Sequence, residues 1–302
     1  MPHLISSSPV RSTSAPRARS TATQATPRPF LAPRHTAAAP LPLHSHRTAA
    51  AATATATAQH GEGATMGAAK KYGDADITQG DGREARLLEY VLANAELGDA
   101  ASVLAAIDAF ASQSEWLMNV GDVKGEILDT EVTAAVARGA RVFMEVGTYC
   151  GYSSVRIASR LPPGAKLYCV EVDARFAAIA RAIQAHAGLQ AHAGLQDVVE
   201  VLIGDCEAAI GVLSAHGVGP LDLVFIDHWK DLYVADFKRL RAAGMLPKDS
   251  VAVADNLIFP GAPDFIKLMD DHPDDFAFTK HLTKLEYFDD REDMVGVAVM
   301  RT

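Results

Sequence analysis

From residue 141 to residue 300, short apolar runs alternate with segments of helical periodicity, and no other feature constrains the fold as strongly. A strand buried in a parallel sheet is an almost continuous apolar run, whereas a covering helix is apolar on one face. Repeated alternation predicts an α/β fold with a doubly wound, mostly parallel sheet and helices on both faces. The last strand is expected to pair antiparallel with the one before it. The predicted strands are Arg141–Val146, Lys166–Val172, Val198–Ile203, Leu221–Asp227, Ser250–Asp255, Phe276–His281 and Val295–Met300.

Helical segments precede the first strand, and ordered structure is expected to begin near Gly82. The second of these segments follows Asp99, whose side chain can cap a helix. A third helix is predicted over about Gly125–Arg138, after the irregular segment Glu115–Gly125. Helical spacing on one face is shown by Leu87, Leu88, Val91 and Leu92 in the first segment and by Val103, Leu104, Ile107 and Phe110 in the second.

The charge of this 302-residue chain is unevenly distributed. Residues 1–66 contain six arginines, no lysine and one acid, so they carry +5, and the total of −9 leaves −14 for the remainder. An acidic body argues against a nucleic-acid partner, because phosphate binding requires clustered lysine and arginine. No apolar run is long enough to span a bilayer, so no transmembrane segment is expected.

Residues 1–66 are rich in Ala, Thr, Ser, Pro and Arg and have no hydrophobic periodicity, which predicts a disordered extension. A composition that is Arg-bearing and poor in acids is typical of an organelle transit peptide. The protein is then expected in a plastid or mitochondrion. The alternative is that Met66 is the true first residue of a cytoplasmic protein. Either way, an intracellular location is expected, and residues 82–302 are predicted to form one catalytic domain.

The three cysteines, Cys150, Cys169 and Cys206, lie in or beside predicted core strands without metal-ligand spacing. They are interpreted as reduced cysteines of an intracellular protein. A six-residue sequence, Ala185–Gln190, is repeated at once as Ala191–Gln196. Two copies are too few for a solenoid, so the repeat is interpreted as a tolerated insertion in a surface connection.

Two neighbouring strands are predicted to end in polar side chains. The fourth ends in Asp227, which is followed by His228, Trp229 and Lys230, and the fifth ends in Asp255-Asn256. In open α/β sheets, ligands bind beyond the carboxyl ends of the strands. Asp227, Asp255 and Asn256 offer three oxygen donors of the kind that Mg²⁺ prefers, so the sequence predicts a magnesium site there.

The first strand leads into Glu145-Val-Gly147-Thr-Tyr-Cys-Gly151. This E-x-G-x-x-x-G spacing differs from the G-x-G-x-x-G of dinucleotide-binding enzymes, which argues against a nucleotide-dependent dehydrogenase. It resembles the first motif of class I S-adenosylmethionine-dependent methyltransferases. The glycines allow close approach of the backbone to a ligand, and the carboxylate of Glu145 suits a cationic sulfonium cofactor. Glu171, at the end of the second strand, is placed to bind ribose hydroxyls, and Cys206, after the third, to lie at an adenine edge.

With these residues in hand, the chain from about 82 to 300 resembles the catechol O-methyltransferase family. The resemblance implies a Rossmann-like methyltransferase fold, the cofactors S-adenosylmethionine and Mg²⁺, and a monomer that acts on a small-molecule catechol. The matching stretches are Glu115–Gly125, Glu145–Ser153, Phe225–Tyr233, Ala254–Phe265 and Leu285–Tyr287.

The resemblance also implies roles for individual residues. Lys230 is the expected general base, and Glu286 is expected to orient the second catechol hydroxyl. Metal ligands are expected at Asp227, Asp255 and Asn256. The implied cofactor-binding residues are Val120, Glu145, Gly147, Tyr149, Ser153, Glu171, Val172, Cys206, Asp227 and His228. The implied substrate-binding residues are Trp116, Met118, Trp229, Lys230, Asn256, Pro260, Leu285 and Glu286.

Two alternatives stay open at this point. One is methylation of a larger phenylpropanoid or CoA-linked catechol, against which the indoles of Trp116 and Trp229 argue. The other is a cofactor-binding scaffold without catalysis, against which the complete set of expected site residues argues. The chain departs from the family pattern where Cys206-Glu207 stands in place of the usual Ser-Gln, and in its repeat and N-terminal extension.

Overall fold

The computed structural model describes residues 79–189 and 198–302. The predictions for the extension 1–66 and for the second copy of the repeat, Ala191–Gln196, therefore lie outside the described residues. All described residues belong to one unit, Ala64–Thr302. The first helix begins directly after Gly82, as expected, with Gly82 in a left-handed conformation.

A seven-stranded sheet forms the centre of this unit, with strand order β3-β2-β1-β4-β5-β7-β6. The first five strands are parallel, and β7 lies antiparallel between β5 and β6. The doubly wound sheet and the antiparallel last strand are thus confirmed, although β6 and β7 form a longer hairpin than predicted. The strands are β1 Val142–Val146, β2 Lys166–Glu171, β3 Val199–Ile203, β4 Leu223–Ile226, β5 Val251–Ala254, β6 Phe276–Lys284 and β7 Glu292–Met300.

Eight α-helices are described in residues 79–189 and 198–302. Asp99 caps α2, since its carboxylate accepts hydrogen bonds from the amides of Ala101 and Ser102. A single 3₁₀ turn, Lys230–Leu232, follows β4, and the turn Leu257–Gly261 follows β5. The helices are α1 Arg83–Asn94, α2 Ala100–Gln113, α3 Gly121–Ala137, α4 Tyr152–Ala158, α5 Ala174–His186, α6 Cys206–Ala215, α7 Tyr233–Ala242 and α8 Pro263–Asp271.

The core has one layer on each face of the sheet. Along β4, Leu223 and Phe225 pack with helices α1 to α5, whereas Val224 and Ile226 pack with α6, α7 and α8. Successive strand side chains point to opposite faces, so a fully apolar strand serves both layers. This arrangement confirms helices on both faces and leaves the carboxyl ends of the parallel strands at one shared edge.

Two helix predictions need correction. Helix α3 begins at Gly121, four residues earlier than predicted. The apolar pattern did not indicate this first turn, because the turn buries Lys124 and exposes Val123. Leu92 was predicted on the buried face of α1, yet half of its surface is exposed. The burial of Leu87 and Val91 shows that the buried stripe of α1 is narrower than its apolar pattern. The three cysteines are buried and free, as expected.

Candidate active site

The predicted metal ligands come together at the carboxyl ends of β4 and β5. These strands pair in register from Leu223 with Val251 to Ile226 with Ala254, so the next residues, Asp227 and Asp255, leave the sheet side by side. Asn256 follows in the left-handed conformation, with φ of 55°. Asp255 is fully buried, and Asp227 and Asn256 retain some exposure.

Lys230 points back from its 3₁₀ turn into this group. Its Nζ atom donates to Asp227 Oδ1 at 2.9 Å, to Asn256 Oδ1 at 3.0 Å and to the Tyr233 hydroxyl at 2.6 Å. The side chain is 14% exposed. The neighbouring carboxylate of Asp231 instead accepts from the indole of Trp229, at 3.3 Å. Lys230 is therefore a half-buried member of the site and not a solvated surface lysine.

A second lysine, Lys124 of α3, lies behind the first group and was not predicted. Its fully buried Nζ atom lies 3.0 Å from Asp255 Oδ2, 2.7 Å from Glu286 Oε2 and 2.9 Å from Asp293 Oδ2. Lys124 thereby brings Glu286 to the predicted metal ligands. A Cβ atom on Gly121 would lie 2.8 Å from the Cβ of Glu286, so this close approach requires glycine at the start of α3.

Burial and nearby charges shift the pKa values of three groups in this site, Lys124, Asp255 and Glu286. Burial raises the pKa of Asp255 to about 8, although the ammonium of Lys124 opposes the shift. Burial likewise raises the pKa of Glu286. Burial alone would lower the pKa of Lys124, but the three carboxylates around it raise that pKa well above its usual value. The site thus holds more carboxylates than lysines, and added positive charge would favour the ionised forms of Asp255 and Glu286.

The predicted cofactor residues surround the carboxyl end of β1. Glu145 is fully buried, and neither of its carboxylate oxygens has a hydrogen-bond partner among the described residues. Burial raises the pKa of Glu145 to about 7, and the side chains of Ser153, Cys169 and Thr148 oppose the rise because they lie nearby, although none has hydrogen-bond geometry to the carboxylate. An unpartnered buried carboxylate is costly in a folded protein, so Glu145 is suited to a cationic or hydrogen-bonding ligand.

The loop after β1 is tied to the end of β2. The amide of Tyr149, a residue with φ of 48°, donates to Glu171 Oε2 at 2.7 Å, and the amide of Asp173 donates to Oε1 at 2.9 Å. Each carboxylate oxygen of Glu171 keeps a further lone pair for a ligand hydroxyl. The Tyr149 hydroxyl donates to Glu84 of α1 at 2.9 Å, so α1 also supports this loop.

The remaining predicted cofactor residues differ in exposure. Val120 and Cys206 are buried, whereas Val172 is 67% exposed. His228 Nε2 lies 2.8 Å from Asp236 Oδ2, and its ring is stacked on Tyr233, but His228 Nδ1 has no partner among the described residues. Contact of these four side chains with a cofactor stays a prediction.

Only some of the predicted substrate-binding residues contact the two predicted catalytic residues, Lys230 and Glu286. The indole of Trp116 donates to the carbonyl oxygen of Glu286 at 3.4 Å. Leu285 is buried beside Glu286. Met118 is half-buried and Trp229 exposed, and Pro260 follows a cis peptide bond. Hydrogen bonds and ring contacts do not join these last three to Lys230 or Glu286, so their role in substrate binding stays a prediction.

Two residues of the site that were not predicted, Lys124 and Asp293, continue the periodicity of buried neighbours on their own elements. Lys124 lies four and eight residues before Leu128 and Val132, which are buried on the same face of α3. Asp293 lies two residues before Val295 on β7 and shares its buried face. Extending the helical and strand periodicities by one step toward the N-terminus would have placed both charges inside the protein.

Residues 79–189 and 198–302 contain neither a metal site built from His, Cys, Asp and Glu side chains alone nor a helix able to span a membrane. No group of three or more His, Cys, Asp or Glu side chains there is arranged to hold a metal ion. The predicted set differs in kind, since it consists of two carboxylates and one amide. No helix in these ranges combines the length and apolar character needed to cross a membrane.

Comparison with known proteins places the chain in a family. A sequence model of the O-methyltransferase family matches residues 98–297. Catechol O-methyltransferase from Mus musculus is 43% identical over 215 residues, which cover 70% of this chain and 77% of that protein. Catechol O-methyltransferase B from Danio rerio is 45% identical over 61% of this chain and 67% of its own.

A solved structure agrees with the sequence relatives. The O-methyltransferase from Bacillus cereus, in complex with SAH, superposes with a TM-score of 0.53 at 25% identity, covering 72% of this chain and 91% of that one. The shared fold, the family match and the identity to the curated relatives lead to one conclusion. The chain belongs to the O-methyltransferase family, with catechol O-methyltransferases among its relatives, and is an S-adenosylmethionine-dependent methyltransferase.

Proposed function

We propose that this enzyme transfers the methyl group of S-adenosylmethionine to one hydroxyl of a catechol, with Mg²⁺ held by Asp227, Asp255 and Asn256 and with Lys230 as general base. One observation carries the proposal. The Lys230 amine lies within 3.0 Å of both Asp227 Oδ1 and Asn256 Oδ1, so the proposed base and two proposed metal ligands converge on one point.

The donor set fits a hard divalent cation. Two carboxylates and an amide oxygen are typical protein ligands of Mg²⁺, which keeps further positions for water or substrate oxygens. When all are ionised, the four carboxylates Asp227, Asp255, Glu286 and Asp293 exceed the two lysines by two charges. A divalent cation would balance that excess. Burial raises the pKa of Asp255 to about 8, and a divalent cation bound beside it would favour the ionised carboxylate that a metal ligand requires.

The cofactor side fits S-adenosylmethionine. The unpartnered carboxylate of Glu145 suits the positively charged amino acid end or sulfonium of that molecule. Gly147, with φ of 98°, lies where β1 and β4 end side by side. It has no side chain there to exclude a ligand from the loop. Glu171 lies at the end of β2, which is where nucleotide-binding folds place the acid that binds ribose hydroxyls.

The residues of the site divide the work of methyl transfer. When bound, Mg²⁺ would supply Lewis acidity toward a catechol oxygen, and S-adenosylmethionine would supply an electrophilic methyl group. In its neutral form, the Lys230 amine would accept the proton of the hydroxyl that is methylated, and contacts with the Tyr233 hydroxyl and Asn256 would hold it in position. Glu286 is placed to accept a hydrogen bond from the other hydroxyl. Holding the reactants in line can lower the barrier by up to roughly 7–11 kcal/mol.

A catechol is proposed because two sequence relatives that are 43% and 45% identical are catechol O-methyltransferases, and because Glu286 and Lys230 offer two polar groups for two adjacent hydroxyls. A panel of catechols, larger phenylpropanoid catechols and mono-phenols, with labelled S-adenosylmethionine and with or without Mg²⁺, tests this. Methylation of simple catechols only with Mg²⁺ is expected. Preference for the larger substrates would move the proposal to the phenylpropanoid alternative, and label transfer to none of them would overturn it.

A further inference from the structure

Asp293, near the start of β7, is fully buried and meets four hydrogen-bond donors. Its Oδ2 accepts from Lys124 Nζ at 2.9 Å and from Asn256 Nδ2 at 2.9 Å. Its Oδ1 accepts from the backbone amides of Ile258, at 3.3 Å, and Phe259, at 3.1 Å. Both oxygens of Asp293 are therefore fully engaged as acceptors, and the side chain is held in one orientation.

The contact with Asn256 determines which way the amide faces. Because Nδ2 donates to Asp293, Oδ1 must lie on the opposite side, where it accepts from Lys230 at 3.0 Å. In the reversed orientation, Oδ1 would face the carboxylate of Asp293 and Nδ2 would face the ammonium of Lys230. An acceptor would then face an acceptor at one end of the amide, and a donor would face a donor at the other. Asp293 and Lys230 together therefore exclude the reversed orientation.

Lys124 is the charged partner of Asp293 in the interior. Both side chains are fully buried, and their charged atoms are 2.9 Å apart. The same ammonium contacts Asp255 and Glu286, so it connects Asp293 to two other residues of the site. Because both partners of this buried ion pair make further contacts with neighbouring groups, their side chains are fixed in position. A residue held in this way is suited to orient a neighbouring side chain.

We propose that Asp293, neutralised by Lys124, is a positioning residue that holds the Asn256 amide with Oδ1 toward the divalent cation. This inference rests on the proposed function, since it concerns one of the three proposed ligands. It also explains why position 256 carries an amide. An aspartate there would place a second carboxylate against Asp293 and would have no N–H group to donate to it. Asp293 touches neither cation nor substrate in this role and acts only through Asn256.

Asp293→Asn is the test, because an amide of the same shape has one acceptor oxygen for four donors. Mn²⁺ serves as the probe, and its dissociation constant is measured by electron paramagnetic resonance of the free ion. The expected result is a Mn²⁺ affinity weakened roughly 10–100-fold, the usual effect of losing a residue that orients a metal ligand. Calorimetric affinity for S-adenosylmethionine without metal is expected to stay unchanged. The matched control is Asp129→Asn, which removes a carboxylate bound to Arg156 and Arg160 outside the site.

A double-mutant cycle separates positioning from a general structural role. If Asp293 acts through Asn256, then Asp293→Asn should have almost no further effect on Mn²⁺ affinity in an Asn256→Ala background. Equal losses in both backgrounds would overturn the inference and leave the proposed metal site standing. An unmutated protein that binds no Mn²⁺ would overturn the metal site and this inference together. If Asp293→Asn does not fold, Asp293→Ser in the same cycle gives the same two outcomes.

Discussion

A Cβ atom on Gly147 would lie 2.3 Å from the carbonyl oxygen of Asp227. The loop that follows β1 on the cofactor side therefore rests directly on the backbone of a proposed metal ligand. Its φ of 98° adds a second requirement for glycine, since side chains rarely adopt that conformation. Glycine at position 147 therefore allows the cofactor loop and the end of β4 to approach this closely.

Gly147→Ala is accordingly expected to destabilise the protein and to weaken S-adenosylmethionine and Mg²⁺ binding together. Strain at positive φ costs about 1–2 kcal/mol and overpacking about 1–3 kcal/mol, so a melting temperature lower by several degrees is expected. Gly139→Ala is the matched control, because Gly139 has the same φ of 98° and no atom within 4 Å of its added Cβ. Equal effects of the two variants would show that the contact with Asp227 is unimportant.

Removal of a proposed metal ligand should abolish turnover without unfolding the protein. Asp227→Ala and Asp255→Ala each delete one of three proposed donors, and each is expected to be inactive at any Mg²⁺ concentration that supports the unmutated enzyme. Loss of activity in excess EDTA, restored by Mg²⁺, is the companion measurement. Full turnover by either variant, or in EDTA, would contradict the metal assignment.

Glu145→Gln is expected to weaken S-adenosylmethionine binding while stabilising the ligand-free protein at neutral to alkaline pH. The folded pKa of Glu145 is raised from 4.5 to about 7, so the folded state binds the proton more tightly than the unfolded state. Its contribution to stability is therefore complete below pH 4.5 and is lost as pH rises to about 7. The stabilisation of Glu145→Gln at pH 8 is expected to reach about 3 kcal/mol at most.

The measurements are thermal melting from pH 4 to pH 8 and calorimetry with S-adenosylmethionine. The variant's melting temperature should depend less on pH across this window, and its affinity should fall roughly 10–150-fold. Glu200→Gln, at an exposed position of β3, is the control and should change neither. Unchanged affinity in both Glu145→Gln and Glu171→Ala would contradict the cofactor assignment.

Deletion of one copy of the repeat should leave turnover and stability nearly unchanged. The copies are identical, so removing either gives the same sequence. The retained copy can keep the contacts seen for His186, whose carbonyl accepts from Gly98 at 2.8 Å and whose Nε2 lies 3.1 Å from the carbonyl of Ala95. Halving a connection changes its closure entropy by only about 0.6 kcal/mol. A melting temperature lower by many degrees, or lost turnover, would show that both copies are integrated into the fold.

The sequence predicted those features that depend on local pattern. Apolar runs identified the strands, and the polar residues at their ends identified Asp227 and Asp255, because parallel strands bring their carboxyl ends to one edge. The local periodicity can place Lys124 and Asp293 inside the protein, but it cannot pair them, because 169 positions separate the two residues. Their pairing depends on β7 inserting between β5 and β6 beside α3, a tertiary arrangement that no single segment encodes.

Lys230→Met should lower turnover roughly 10²–10⁴-fold on an unactivated catechol while leaving S-adenosylmethionine affinity unchanged, because it removes the proposed general base. The structure sharpens this prediction, since Lys230 contacts Asp227 and Asn256 and not Asp231. Removing that ammonium from two proposed metal ligands should keep Mn²⁺ affinity equal or raise it. The loss of turnover should be smaller on catechols with electron-withdrawing substituents, because their hydroxyl is already acidic. Lys238→Met, on the exposed side of α7, is the control. Near-normal turnover of Lys230→Met on an unactivated catechol would mean that Lys230 is not the base.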